Sequence, residues 1–188
     1  MRKRATHNAR RSSMRREERK AEHRLRNVGI PALLAALSML VVAYSLHYMN
    51  FDIAHGNASG ILIFASMGAS AFILFMTPRS KAAHISKFAK SYVCAGLIGY
   101  FGFAIRPFTG IYVSLTVVMF IATMVLVLAK AEHPPAVGIA VAFVLYNVGT
   151  MGILVVILGM LLLIVMRILL EKAVYAIEHD VDRFTERL

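Results

Sequence analysis

The chain has 188 residues, 59% of them apolar and 16% charged, with a net charge of +11. The apolar share stands well above the roughly 45–50% of soluble domains, so an ordinary water-soluble fold is excluded. Cys94 is the single cysteine, which excludes an intrachain disulfide and any cysteine-rich metal site.

The basic excess is local. Residues 1–26 carry eleven Arg or Lys against Glu17, Glu18 and Glu22, a net of +8. A basic tail directly before an apolar run anchors the chain on the cytoplasmic side and can lie on anionic headgroups, so the charge does not point to nucleic acid. A signal peptide fits poorly, because the basic region is long and further apolar runs follow. Residues 1–28 are read as this cytoplasmic tail, 29–170 as a transmembrane domain and 171–188 as an amphipathic C-terminal helix.

Uncharged runs mark the membrane segments, since a charge at the bilayer centre costs about 2.5–3.5 kcal/mol on the insertion scale. The first is Val28 to Phe51. The second, Ile53 to Pro78, holds a Gly56-Asn57 turn signal and then a span from Ala58 to Thr77. A third, Ser91 to Ile105, is short, and a fourth follows from Ile111 to Ala129.

Between Glu132 and Arg167 lie 34 residues without Asp, Glu, Lys or Arg. As one helix they would reach about 51 Å, too long for one crossing, whereas two crossings need about 40 residues and a turn. The turn chemistry at Asn147-Val148-Gly149-Thr150 splits the run into a short piece, Ala136 to Tyr146, and a full span from Met151 to Met166. Lys and Arg then fall 20 to 1 on the side of the N-terminal tail, with Arg106 alone opposite, if the short piece reaches the far side. If it re-enters, the bias drops to 16 to 5. The C-terminal tail spaces Leu170, Val174, Ile177, Val181, Phe184 and Leu188 as a brief heptad stripe, which suits the membrane surface or self-association.

The resulting expectation is an all-α polytopic bundle of about six segments, one of them short or broken, with both termini in the cytoplasm of a prokaryotic cell. The chain carries no phosphate loop, HExxH or paired cysteines, so neither enzyme activity nor a cofactor or metal is expected. In Lys130-Ala131-Glu132-His133-Pro134-Pro135 the prolines cannot continue the preceding helix, yet they start a new one well. Two readings stay open. In one, the short helix aims its N–H groups and positive dipole end into the break as an anion site, with Lys130 and His133 adding charge and Glu132 pairing one of them. In the other, the prolines make an interfacial turn.

Gly68-Ala69-Ser70-Ala71-Phe72-Ile73-Leu74-Phe75 parallels 137–146, most closely at Ala-Phe-aliphatic-Leu-aromatic. In oppositely directed segments this fits a 3+3 inverted repeat, which would bring Gly68, Ala69 and Ser70 to the His-Pro-Pro break. The alternative is that these small residues form a helix-packing face, as Gly96, Gly99 and Gly102 would in the third segment.

GASAFILF at 68–75, Pro78 and AEHPPAVGIA at 131–140 resemble the HPP family of membrane proteins, over roughly Pro31 to Leu170. The resemblance implies a small integral membrane protein with a transport role, nitrite transport being assigned to some plastid and cyanobacterial relatives. It makes His133, Pro134, Pro135, Ala136, Gly68, Ala69 and Ser70 the candidate substrate-binding residues. Val137-Gly138-Ile139-Ala140 departs from the small Gly-Ala-Thr-Ala usual after the motif, which bears on substrate more than on fold. A secondary transporter or facilitator of a small anion in the lipid bilayer is the leading expectation, with homo-oligomerisation open. An accessory protein acting through helix contacts is the alternative.

Overall fold

The computed structural model describes residues 28–49 and 58–185, with side chains described as far as Lys172. The basic tail and the Gly56-Asn57 turn fall outside these residues, as do the side chains of Ser59 and of the whole C-terminal heptad stripe from Leu170 onward. Every regular element among the described residues is helical: α1 Val28–Tyr48, α2 Ala58–Met76, a 3-10 turn Lys81–Ala83, α3 Ile85–Leu128, α4 Pro134–Leu145 and α5 Thr150–Thr185. Three stretches, Val28–Tyr48, Ile85–Leu128 and Thr150–Leu169, are long and apolar enough to cross a membrane; Gly60–Met76 and Pro134–Leu145 are shorter apolar helices.

α3 is two helices joined by a sharp reversal at Gly110, whose φ of 77° and ψ of 168° are open essentially to glycine alone. Gly102 on the first limb meets Val118 on the second, each eight positions from Gly110, so the limbs fold back on one another. The hydroxyls of Thr109 and Ser114 close the turn at 2.8 Å, and Ser114 donates to the Gly110 carbonyl. The first limb runs through 85–109. It is longer than the expected Ser91 to Ile105, because Lys87 and Lys90 are carried on the helix ahead of the apolar part and Arg106 near its end.

α4 is the centre of the bundle. Ala136, Ile139, Ala140, Ala142, Phe143 and Val144 are all buried, on more than half the circumference of a helix only 12 residues long, and Val137, Gly138, Val141 and Leu145 on the rest are half-buried. At about 1.5 Å per residue it covers about 18 Å. Glycine lets its neighbours close in: a methyl at Gly99 would stand 3.0 Å from the Ala140 Cα, and one at Gly138 only 2.5 Å from Ser66 Oγ. Gly96, Gly99 and Gly102 thus do form a packing face.

These contacts fix directions. Lys87 pairs with Glu132 at one end of α4, and Arg106 meets Val144 at the other, so α4 runs parallel to the first limb of α3. Ser70 reaches His133 and Ser66 lies against Gly138, so α2 runs antiparallel to α4. The ends of α4 therefore lie at opposite ends of the bundle, and α5 returns from the turn at Asn147. The matched phenylalanines of the suggested repeat have opposite surroundings, Phe72 being 58% exposed and Phe143 fully buried. α5 continues as one helix through residue 170, with no break where the C-terminal segment was expected to begin.

Both ends of α4 are locally sealed. Lys130, at φ 51°, closes α3: the Ala131 N–H donates to the Leu126 carbonyl and the Lys130 N–H to that of Val127. Asn147, at φ 54°, closes α4 in the same way, the Val148 N–H donating to the Phe143 carbonyl. Arg106 donates through Nη1 to the Val144 carbonyl at 2.7 Å, and its charge meets the negative end of α4. Replacing Arg106 with methionine is expected to cost about 2 kcal/mol in thermal melts of the solubilised protein, and lysine to recover only part of it.

Large apolar side chains cover the outside. Leu33, Leu97, Phe120, Leu128 and Leu154 are among the many left exposed, as a lipid-facing surface requires. Phe108, Tyr112 and Tyr146 stand exposed at the Arg106 end, whereas Arg79, Lys81, Lys87, Lys90 and Lys130 gather at the other.

Candidate functional site

Ser66, Ser70, Ser91, Ser114, Ser38 and His133 are the buried polar residues among those described, and no buried side-chain nitrogen or oxygen among them lacks a partner. Three of the elements around α4 send polar groups to one point. His133, 1% exposed, precedes Pro134 as the N-cap of α4. Its Nε2 lies 2.8 Å from Ser70 Oγ on α2, and its Nδ1 lies 3.1 Å from the Ala82 carbonyl in the 3-10 turn. Ser70 Oγ is in turn 2.6 Å from the Tyr92 hydroxyl on α3 and 3.0 Å from the Ser66 carbonyl one turn back on α2. Phe88 packs edge-on against the imidazole, with ring centroids 5.1 Å apart.

A carbonyl only accepts, so His133 Nδ1 carries a proton and donates it to Ala82. In the neutral ring Nε2 is then an acceptor. The chain reads in one direction: Tyr92 O–H to Ser70 Oγ, Ser70 O–H to His133 Nε2, His133 Nδ1–H to the Ala82 carbonyl. His133 belongs to the connection between α3 and α4, where burial pushes its pKa below the ordinary histidine value and the Ala82 carbonyl pulls partly back.

A depressed native pKa means that the stabilising contribution is fully present above the unfolded value of about 6.5 and is lost as pH falls through the native one. Melting temperature is therefore expected to drop on acidification below about pH 6.5. His133→Gln should show a weaker pH dependence.

Of the three small residues expected at the break, only Ser70 is there. Gly68 faces α1, where a methyl would sit 3.7 Å from Met39 Cε, and Ala69 is exposed. Three consecutive residues cannot share one helical face; Ser66 and Ser70, four apart, can. Pro134 is exposed and Pro135 half-buried, while Ala136 is fully buried.

The helix N-terminus itself offers no anion cradle. Pro134 and Pro135 have no N–H, and the Ala136 N–H already donates to the His133 carbonyl at 2.9 Å. Glu132 pairs with neither Lys130 nor His133 but with Lys87, at 3.3 Å on the exposed rim. Its own backbone N–H, and then the Lys87 ammonium, hold its carboxyl below the usual carboxylate range. His133 and Ser70 touch directly, so this conformation is closed between the two motifs.

Tyr92 and Ser66 were not singled out in the sequence. The signal for Tyr92 is its place four residues after Phe88, on the stripe of the first α3 limb that stays buried.

The HPP transmembrane-region family model matches residues 20–178. The chain belongs to the HPP family. It is accordingly an integral membrane protein with its helices in a lipid bilayer. No curated protein and no solved structure matches it. In this HPP chain the His-Pro-Pro segment contributes His133 to the buried polar chain, between Ser70 and the Ala82 carbonyl.

Proposed function

We propose that this HPP protein is a secondary transporter or facilitator of a small solute, and that the closed contact of His133 with Ser70 is its gate. The observation that carries this reading is a buried histidine, hydrogen-bonded to α2 and contacting α3, the one ionisable group among the buried polar residues described. Ionisable groups at such positions are expensive and mark solute or proton paths. Further support comes from the short α4, whose two ends meet opposite ends of the bundle. It crosses most of the hydrocarbon thickness in about 18 Å, leaving room for a vestibule beyond Asn147.

With the two limbs of α3 counted separately, six segments cross, and the Lys/Arg-rich end with both termini faces the cytoplasm. The solute class is a small anion such as nitrite, attracted by Lys81, Lys87 and Lys130 at the rim and received by the hydroxyls of Ser70 and Tyr92 and the imidazole of His133. Pro134, Pro135 and Ala136 hold His133 in place rather than donate to the solute. Full-length protein in liposomes is expected to pass nitrite, nitrate or formate faster than empty vesicles do. Flux of all three at the level of empty vesicles overturns transport and leaves docking through helix contacts.

A further inference from the structure

Ser70 Oγ has one proton and two acceptors within reach, His133 Nε2 at 2.8 Å and the Ser66 carbonyl at 3.0 Å. The hydroxyl can serve only one of them at a time. Which one depends on whether Nε2 already bears a proton, because Nδ1 is committed to Ala82 in either case.

We propose that the His133–Ser70–Tyr92 chain binds one proton together with one anion, making this protein a proton-coupled anion carrier; this rests on the transport reading above. A proton from water adds to the Nε2 lone pair and forms an N–H that donates to Ser70 Oγ. The Ser70 hydroxyl turns to the Ser66 carbonyl, and Tyr92 goes on donating to Ser70 Oγ. No heavy atom needs to move for the proton alone, so two hydrogen-bond registers share one packing; the anion enters as Ser70 and His133 part, since every donor of the closed contact is in use.

The protonated ring is then a buried cation without a buried counter-ion. It caps the positive end of α4, which makes the charge costlier. Neither α2 nor α4 carries a titratable side chain. On α3, Tyr92 is the titratable group touching the ring, and Lys87 adds like charge. The 3-10 turn and its edge bring Lys81 and His84, both exposed. Among the described residues Glu132 is the one carboxylate nearby, and it is exposed and paired with Lys87. A small anion would supply the missing charge, so proton and anion favour each other's binding.

Full-length protein in liposomes loaded with a pH-sensitive dye tests this, using nitrite and nitrate gradients against empty vesicles to subtract leakage of the free acid. We expect the lumen to acidify by one proton for each anion that enters, and an imposed proton gradient to accumulate the anion roughly tenfold per pH unit. In His133→Gln both effects should vanish. Anion entry without acidification in the wild type overturns coupling and leaves transport standing, whereas absent entry overturns both. Acidification persisting in His133→Gln also overturns the assignment, and the wild-type stoichiometry decides the matter if that variant does not assemble.

Discussion

Gly102→Ala is expected to destabilise the bundle by about 3 kcal/mol, at the upper end of what overpacking costs. Gly102 is the point where the first limb of α3, its returning limb and α4 converge. An added methyl would overlap Val118 Cγ2 and stand 2.6 Å from Val144 Cγ2. Neither valine can swing aside, since a β-branched side chain on a helix has essentially one χ1 rotamer. Relief requires the helices to separate, which loosens the hairpin and the seat of α4 together. Gly96→Ala is the matched control: the nearest atom, Val156 Cγ1, is 4.0 Å away, so the variant should be neutral or slightly stabilised by alanine's helix propensity. Thermal or denaturant melts of the solubilised pair measure the difference. Equal melting of Gly102→Ala and wild type would mean that the limbs do not close as described.

The limits of what the sequence disclosed follow from the same packing. Charge spacing and turn residues are one-dimensional signals: the first gives α1 and the end of α2, the second the starts of α2 and α5, all within a few residues. Charge spacing places the reversal of α3 within 106–110 but ends the first limb four residues early. Arg106 reads as a loop residue when each charge is taken to end a span, yet its helix continues to Gly110 because the guanidinium has carbonyls of α4 to bind. The short α4 was legible, since Pro134-Pro135 starts it and Asn147 ends it through chemistry local to the chain.

The candidate site was legible only in part. His133 and Ser70 are both legible, but for an anion held by Ser70 and the first N–H groups after Pro135, of which that of Ala136 already donates to the His133 carbonyl. Gly68 and Ala69 adjoin Ser70 in sequence, but consecutive residues of a helix point to different faces. Tyr92 and Ser66 enter only through side-chain contacts between helices, which no single-segment pattern encodes.

His133 and Ser70 are expected to be strongly coupled, so that His133→Ala and Ser70→Ala together cost about 1–3 kcal/mol less than the sum of the single changes. Removing the imidazole leaves the Ala82 carbonyl without its donor and opens a void beside Phe88, worth about 3 kcal/mol. Removing the Ser70 hydroxyl costs less, about 2 kcal/mol, because Tyr92 can still reach the Ser66 carbonyl at 3.5 Å. Once either partner is gone, most of what the other contributed is already lost. Melts of the four proteins give the stability cycle, and anion flux in liposomes gives the functional one. Because Ser70 and His133 are the groups that receive the solute, flux is expected to fall further than the folded fraction does in both single variants. If flux per folded molecule is unchanged in Ser70→Ala and His133→Ala, the buried chain is a structural tie between α2 and the start of α4, and the path for solute lies elsewhere in the bundle.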